Sequence, residues 1–297
     1  MPLILVICFS FLTCHAHESP SHSLEVLNEH IKEESSPELL FQRAMAYKNL
    51  GKMELAEADL KAATQANPEN LSWQLERCRL QLTRKRPDTA LRIANEALKL
   101  VKNNTQRGEV HMLRAQAYHF SGKAKPSLHA CQLAFKETPK GKLEWYILRS
   151  ENQYILKLHR QRMLGLKAGL KAYPRSILQN HFVDALIDAE QYQEALSLIE
   201  KELPTLRWNA HWQIKQARSL IALDRSDEAQ KPLLDALEEV EQRINPARPD
   251  ILLVADRANI QLLMGNKSAA MSSLTMLRKH RAPKWLTKRI EDAIEEK

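Results

Sequence analysis

A period of 34 residues runs through this sequence and constrains its fold more than any other feature. Small residues recur at that spacing, since Ala90 follows Ala56 and Ala97 follows Ala63 by 34 positions each. Long stretches around them carry apolar residues on one helical face, which predicts amphipathic helices. A chain with such a period folds as an array of similar units, because one helical pair cannot bury its apolar face alone.

One copy of the repeat stands out between residues 41 and 68, which read FQRAMAYKNLGKMELAEADLKAATQANP. Later copies return its small residues, with Cys78 in the place of Ala44 and with Ala115 and Gly122 in the third copy. The pattern resembles the tetratricopeptide repeat over nearly the whole chain after the first 36 residues. The resemblance implies an all-α fold, a right-handed superhelical solenoid of paired helices joined by tight turns.

The array predicts about seven units, with short insertions near 105–107 and 244–250 and a degenerate fourth copy. Their ranges are 37–70, 71–104, 108–141, 143–176, 177–209, 210–243 and 251–284. An apolar stripe of Leu24, Leu27 and Ile31 within residues 17–36 predicts an N-terminal capping helix. Residues 285–297 predict a C-terminal capping helix with one polar face.

Glycine and proline mark the expected ends of helices in these units. Three glycines fall where a first helix ends and the chain needs a positive φ; they are Gly51, Gly122 and Gly265. Three prolines fall where a second helix has to stop; they are Pro68, Pro139 and Pro174. The composition agrees with an all-helical chain, because only 7 of the 297 residues are Gly.

Residues 1–16, MPLILVICFSFLTCHA, contain no charged side chain and predict a signal peptide cleaved after Ala16. The n-region lacks a basic residue, so a retained anchor and an unrelated apolar start stay open as alternatives. Leu12-Thr13-Cys14 loosely resembles a lipidation site, with Cys14 as the lipidated residue. No later segment is apolar enough to span a membrane. We therefore expect an exported protein, periplasmic or secreted.

No catalytic motif, metal-binding motif or cofactor motif is present in the sequence. It has no H-E-x-x-H helix, no C-x-x-C pair, no G-x-S-x-G elbow and no phosphate-binding Gly loop. A local cluster of His15, His17, Glu18 and His22 straddles the predicted cleavage point and is interpreted as a solvated N-terminus. Cys78 and Cys131 fall within helical patterns and are predicted to be buried thiols. No enzymatic activity, cofactor or metal is predicted.

Five arginines stand just before the small residue of a first helix, at a position where the family usually has Leu. They are Arg43, Arg77, Arg114, Arg149 and Arg257. This arginine ladder invites a ligand-binding interpretation, but a structural role is favoured, in which each stem lies on apolar surface. Asp59 is the expected partner of Arg43, and backbone carbonyls are expected for most of the others.

The resemblance implies that a partner binds the inner face lined by the first helices. The residues that we predict in this groove are Arg79, Met112, Gln116, Phe120, Ile147, Glu151, Tyr154, Asp184 and Arg218. Apolar and aromatic residues interleaved with single polar groups suit an extended or helical peptide. Packing between neighbouring first helices is the alternative for the apolar members. The Lys and Asn pattern with which some family members clamp a carboxylate is missing.

Charge is concentrated in the third and fourth units, where residues 105–176 carry 14 basic and 4 acidic side chains. The basic patch predicted on the outer face consists of Lys123, Lys125, Lys136, Lys140 and Lys171. Such a patch attracts polyanions or an anionic membrane surface, or only keeps the protein soluble. Nucleic acid is not expected as a partner, because export is predicted and aromatic residues are not interleaved there.

Three hypotheses about function follow from the sequence. The favoured one is a non-catalytic, exported scaffold that mediates protein–protein interaction through its concave groove. The second is a module that attaches to an envelope or membrane surface through the basic patch. An enzyme with an unfamiliar site is the third, and no cluster of residues can be named for it.

Overall fold

Each turn between the two helices of a pair contains one residue with a positive φ, and these turns set the architecture of the chain. The computed structural model describes residues 20–295 and, within them, sixteen α-helices. Residues 1–19, which hold the predicted signal peptide, Cys14 and most of the histidine cluster, lie outside the described residues. The chain forms two compact units, unit 1 up to Asn152 and unit 2 from Gln153 onwards.

Unit 1 contains seven helices and most of an eighth. They are α1 (Pro20–Glu33), α2 (Pro37–Asn49), α3 (Met53–Ala66), α4 (Leu71–Thr83), α5 (Pro87–Ala97), α6 (Asn104–Phe120), α7 (Ala124–Glu137) and α8 (Leu143–Ile155), within which the boundary of the two units falls. Helices α2 and α3, α4 and α5, and α6 and α7 pack as antiparallel neighbours, and α1 packs against α2. The expected N-terminal capping helix is therefore present.

Unit 2 contains the remaining helices and a short 3₁₀ turn, Leu203–Thr205. The helices are α9 (His159–Ala172), α10 (Ser176–Asp188), α11 (Tyr192–Glu202), α12 (Ala210–Ala222), α13 (Ser226–Arg243), α14 (Ile251–Leu263), α15 (Lys267–Lys279) and α16 (Lys284–Glu295). The last helix packs on α14 and α15, as a capping helix does. Within residues 20–295 the predicted all-α fold is confirmed, with seven helix pairs between two further helices.

All seven turns within the pairs have the same backbone geometry, although only three contain glycine. Gly51, Gly122 and Gly265 have φ values of 73°, 69° and 76°, as predicted. The same position is occupied in the other four turns by Lys85, Lys157, Glu190 and Asp224, with φ between 56° and 60°. Each turn closes with a Schellman bond, as from Lys52 N–H to the Tyr47 carbonyl at 2.9 Å and from Arg86 N–H to the Gln81 carbonyl at 2.9 Å.

The small residues of the repeat allow the paired helices to approach each other closely. Ala44 and Ala56 have no exposed surface, and they pack with Leu60 and Leu80 in one apolar cluster. The predicted prolines each lie two residues beyond the end of a second helix, after Ala66, Glu137 and Ala172. The insertion near 105–107 falls in the first turn of α6, which it lengthens to 17 residues, and residues 244–250 connect α13 to α14.

Candidate functional site

The side chains of the predicted groove differ widely in exposure. In unit 1, Phe120 at the end of α6 is 61% exposed, and Gln116 one turn earlier is half-buried. Met112 is wrongly placed in the groove, because it is only 3% exposed and packs with Ala115 and Trp145 in the core between α6, α7 and α8. Ile147 is half-buried and Glu151 is exposed, both on α8.

Arg79 belongs to a chain of opposite charges across the first helices of unit 1. Lys48 Nζ lies 2.8 Å from Glu76 Oε2, and Arg79 Nη1 lies 2.6 Å from Glu76 Oε1. Arg79 also reaches Glu109 at 3.7 Å, and Lys142 Nζ lies 2.5 Å from Glu109 Oε1. Burial opposes ionisation of Glu76, but Lys48 and Arg79 together lower its pKa. The two carboxylates of this face therefore compensate most of the charge of its three cations.

A polar cluster centred on His119 lies beside the exposed ring of Phe120. The ring of the preceding residue, His119, meets it edge-on with 6.0 Å between the centroids. His119 Nδ1 lies 3.1 Å from the amide oxygen of Asn152, and His119 Nε2 lies 3.5 Å from a carboxylate oxygen of Glu151. The Asn152 amide donates to the Leu148 carbonyl at 2.7 Å, which fixes its orientation. An aromatic side chain is thus presented to solvent among oriented polar groups.

Sequence reasoning missed His119, Asn152, Glu76 and Glu109. A signal for some of them exists, because interacting residues on or next to neighbouring first helices lie 33 positions apart in two cases, 109 with 142 and 119 with 152. Comparing residues at this spacing, rather than within one helix, finds the pairs.

In unit 2, two of the predicted groove residues, Tyr154 and Asp184, contact basic side chains, and the third, Arg218, is exposed. Tyr154 is 55% exposed and stacks on the guanidinium of Arg162, whose carbon lies 5.0 Å from the ring centroid. Arg162 also pairs with Asp188. Asp184 Oδ1 accepts from the buried Lys215 at 2.8 Å, whereas Arg218 is exposed.

The basic patch is exposed at each of its predicted positions. The side chains of Lys123, Lys125, Lys136 and Lys140 in unit 1 and of Lys171 in unit 2 all face solvent. Neighbouring lysines are instead held in ion pairs, Lys142 with Glu109 and Lys167 with Glu194 at 3.6 Å.

The arginine ladder is bound to side chains, and its partners change from unit to unit. Arg43 donates to both carboxylate oxygens of Asp59 at 2.7 and 2.8 Å, which confirms the predicted pair. Arg257 donates to Ser273 Oγ at 3.0 Å, Arg77 lies 3.5 Å from Thr64 Oγ1, and Arg114 lies 3.2 Å from His111 Nδ1. For Arg77, Arg114 and Arg257 the predicted carbonyl partners were wrong, because each guanidinium contacts a polar side chain instead.

Two aromatic rings contact the guanidinium of Arg149. Its guanidinium carbon lies 4.1 Å from the centroid of Phe135 and 5.2 Å from that of Tyr146. Gly141 lets this cluster close, because it has a φ of 54° and an added Cβ would stand 2.7 Å from Phe135. The ladder therefore stabilises helix packing by different chemistry at equivalent positions.

The chemistry available elsewhere in the described residues is limited. Cys78 and Cys131 are buried, as predicted, and burial raises the pKa of each thiol to about 12, so neither is a nucleophile at neutral pH. Between residues 20 and 295, no group of three or more His, Cys, Asp or Glu side chains is placed to hold a metal ion. In the same part of the chain, no helix has the length and apolarity to cross a bilayer.

Comparison with known proteins gives the same architecture. The family model for the tetratricopeptide repeat matches residues 37–70, the length of one unit. No curated protein sequence matches the chain. Among solved structures, a tetratricopeptide repeat protein from Parabacteroides merdae superposes with a TM-score of 0.67 at 17% identity, covering 87% of this chain and 98% of that one.

Two further structures are similar at lower TM-scores. YrrB, described as a TPR protein with an unusual peptide-binding site, gives a TM-score of 0.53 at 13% identity, over 60% of this chain and 91% of that one. The Cut9–Hcn1 hetero-tetramer of the APC/C gives 0.53 at 14% identity, over 91% of this chain and 52% of that one. At these identities the similarity establishes the fold.

Proposed function

We propose that this chain, which has the tetratricopeptide-repeat fold, is a non-catalytic scaffold that binds another protein or a peptide on its first helices. The exposed Phe120 carries this proposal, because a large aromatic side chain 61% exposed among oriented polar groups is typical of an anchor at an interface. Gln116, His119 and Glu151 supply hydrogen-bonding groups around the ring.

The chain of charges on the same face indicates what kind of segment binds there. Lys48, Glu76, Arg79, Glu109 and Lys142 compensate one another, so the first helices of unit 1 present little net charge to a partner. We infer that the bound segment is read through apolar side chains and amide hydrogen bonds. Its affinity then depends only weakly on ionic strength.

In unit 2 the first-helix face offers Tyr154 and Arg218 for the same purpose. The ring of Tyr154 is oriented from below by Arg162, which is itself buried and paired with Asp188. A partner on this face meets an aromatic ring and an exposed cation.

The test compares the wild-type chain with Phe120→Glu in capture of peptides from a random library. Leu55→Glu is the matched control, because Leu55 is 47% exposed on α3, a second helix. We expect selected peptides to bind wild type and Leu55→Glu equally and to bind Phe120→Glu at least tenfold more weakly. Equal binding to all three proteins, each with a wild-type circular dichroism spectrum, contradicts the proposal.

We further propose that the chain is exported, with residues 1–16 as its signal and with lipidation of Cys14 as the variant form. The uncharged apolar start supports this. N-terminal sequencing of the protein from its native source tests it. A mature chain that begins at His17 supports cleavage, a lipid-modified Cys14 supports anchoring, and an intact Met1 in the cytoplasm overturns export.

A further inference from the structure

We propose that unit 2 docks on an anionic bilayer surface through one of its edges, where exposed tryptophans lie among cations. This goes beyond the proposed function, because it uses the ends of the helices and not the first-helix face. The edge is formed by the connections that follow the second helices α9, α11, α13 and α15. These connections are residues 173–175, 203–209, 244–250 and 280–283.

Short connections place these four segments on the same side of unit 2. Every helix from α9 to α15 packs on the next one, and the connections between them have three to seven residues. A helix that packs on its neighbour across so short a connection runs antiparallel to it. Alternate connections therefore lie at opposite ends of the helices. We call the end shared by the four segments the connecting edge.

Contacts between consecutive connections make the connecting edge continuous. Each contact joins a residue in or near one connection to a residue in or near the next. The pairs are Gln179 with Glu202, Asn209 with Glu239, and Ile244 with Ala282. The first two are hydrogen bonds, from a side-chain amide at 2.8 Å and from a backbone N–H at 2.7 Å. The third is packing within one apolar cluster.

Four large apolar side chains are exposed on the connecting edge, one at each connection. They are Ile177, Trp208, Leu252 and Trp285, and they are between 49% and 63% exposed. Three of them stand at the second position of a helix, and Trp208 stands two residues before α12. The other three of the five tryptophans are at most 6% exposed; they are Trp73, Trp145 and Trp212. Both exposed tryptophans therefore lie on this edge.

Cations flank these apolar side chains and greatly outnumber the acids. Residues 171–177, 203–209, 243–252 and 279–285 contain eight Lys or Arg side chains and one acid, Asp250. The cations are Lys171, Arg175, Arg207, Arg243, Arg248, Lys279, Arg281 and Lys284. Within the part of the chain that the structure describes, only Arg243 among them pairs with a carboxylate, that of Glu239 at 2.9 Å. Asp250 is engaged as the cap of α14, where it accepts from the Leu252 N–H at 2.8 Å.

The surroundings of Trp208 indicate a bilayer as the partner. The guanidinium carbons of Arg207 and Arg243 lie 5.3 and 4.6 Å from its ring centroid, and the ring is still half-exposed. Trp is enriched in the headgroup region of bilayers, and anionic lipids attract clusters of Lys and Arg. An interface with a single protein has instead an apolar core inside a polar rim. On the connecting edge the apolar side chains are spread out, and charge of one sign accompanies them throughout.

The opposite edge of unit 2 has neither feature. It contains the turns at 188–192, 222–226 and 263–267, which have two basic and three acidic residues. None of the side chains in these described turns is a large apolar group exposed to solvent. Exposed apolar groups and excess positive charge are therefore specific to the connecting edge. We expect this edge to enter the headgroup region to a depth of about 5–10 Å.

Tryptophan fluorescence of the full chain tests whether the edge enters the bilayer. With vesicles of phosphatidylglycerol and phosphatidylcholine, we expect emission at shorter wavelength and quenching by brominated lipid chains. In vesicle co-sedimentation, Trp208→Ala with Trp285→Ala should bind at least tenfold more weakly than wild type. The matched control is Leu234→Ala with Met271→Ala, which removes two exposed apolar side chains from α13 and α15 and should bind like wild type.

Charge reversal tests whether the cations of this edge supply the attraction. Arg248→Glu with Lys284→Glu should weaken co-sedimentation at least tenfold. Lys231→Glu with Lys267→Glu changes the net charge equally at exposed positions off the edge, and it should bind like wild type. Binding of the wild-type chain should also fall as salt rises from about 50 mM to about 500 mM. Circular dichroism confirms that each variant folds.

The remaining results overturn the proposal. A wild-type chain that does not bind anionic vesicles at low salt has no docking edge for them. Equal losses in the two charge variants would show that net charge, and not the connecting edge, is responsible. Binding without a change in tryptophan emission, or binding lost only when Lys123 and Lys125 are reversed, would assign attachment to another surface.

Discussion

Lys215 on α12 and Asp256 on α14 are two shielded charges on neighbouring first helices of unit 2. They differ in the partners that surround them. Lys215 is 3% exposed and donates to Asp184 Oδ1 at 2.8 Å, to the Asn180 side-chain oxygen at 2.7 Å and to the Asn180 carbonyl at 3.0 Å. Asp256 is half-buried, and none of the described cations lies within ion-pair distance of it.

The difference shows that partners, more than depth, decide the state of a shielded charge. Burial lowers the pKa of Lys215, but Asp184 opposes that effect and favours the charged amine. For Asp256, burial raises the pKa to about 6, and Arg289 and Arg243 only partly offset it. One group is held as an ion by short hydrogen bonds, while the other is driven towards its neutral form.

Removing Asp184, the partner of Lys215, should have the largest effect on the free energy of unfolding. Asp184→Ala leaves a buried ammonium without a counter-charge, and we expect the free energy of unfolding at pH 7 to fall by about 3 kcal/mol. Urea denaturation measures it. The double variant Asp184→Ala with Lys215→Met should recover most of the loss, because no buried charge then remains. A double variant as unstable as the single one would show that packing, and not charge, is responsible.

Neutralising Asp256 should change the stability of the protein in a way that depends on pH, unlike the removal of Asp184. The pKa of Asp256 is about 6 in the folded chain, against 3.8 ordinarily, so its contribution to stability is complete below pH 4 and lost as pH rises through 6. Asp256→Asn should therefore stabilise the protein by about 2 kcal/mol at pH 8 and have little effect at pH 4. Urea midpoints at both pH values test this, with the exposed Asp292→Asn as control. Equal effects of Asp256→Asn at both pH values count against the shift.

The arginine ladder extends the comparison to unit 1. Arg43 binds both oxygens of Asp59, which is 7% exposed, whereas Arg77 meets only the Thr64 hydroxyl at 3.5 Å. We expect Arg43→Ala to cost about 1.5 kcal/mol, because it strands a buried carboxylate, and Arg77→Ala to cost less than half of that.

Thermal unfolding ranks these two variants, and peptide binding provides the second measurement. Neither substitution should change affinity for a peptide bound at Phe120. Unchanged melting with lost binding for Arg77→Ala would instead assign the ladder to a ligand.

The smallest expected effects on stability are in the turns, where the requirement is a positive backbone φ. Gly51 and Lys85 occupy equivalent turns with φ of 73° and 56°. An added Cβ at Gly51 meets no atom within 4 Å, so Gly51→Ala isolates the cost of a positive φ. We expect it to destabilise by about 1 kcal/mol and Lys85→Gly to stabilise by about 0.5 kcal/mol. Thermal melts of the two variants should shift in opposite directions, and shifts of the same sign would refute this explanation.

The sequence by itself determined the repeat architecture of this protein. The 34-residue period, the small residues at Ala44 and Ala56, and the glycines and prolines at helix ends each act locally, through backbone conformation and the close approach of paired helices. The pair of Arg43 and Asp59 was also predictable, because both residues lie in one helix pair with fixed geometry.

Only the tertiary structure decided which side chains are exposed and which charges meet. Met112 is buried and Phe120 is exposed, although both fit the inner-face pattern of α6, because the former packs against Ala115 and Trp145 and the latter lies at the end of its helix. Glu109 reaches Arg79 from the next helix pair, and Asp184 and Asn180 reach Lys215 from the preceding one, about 30 residues or more away in each case. Their distances depend on how far each pair is displaced against the next, and helical periodicity within one segment carries no information about that displacement.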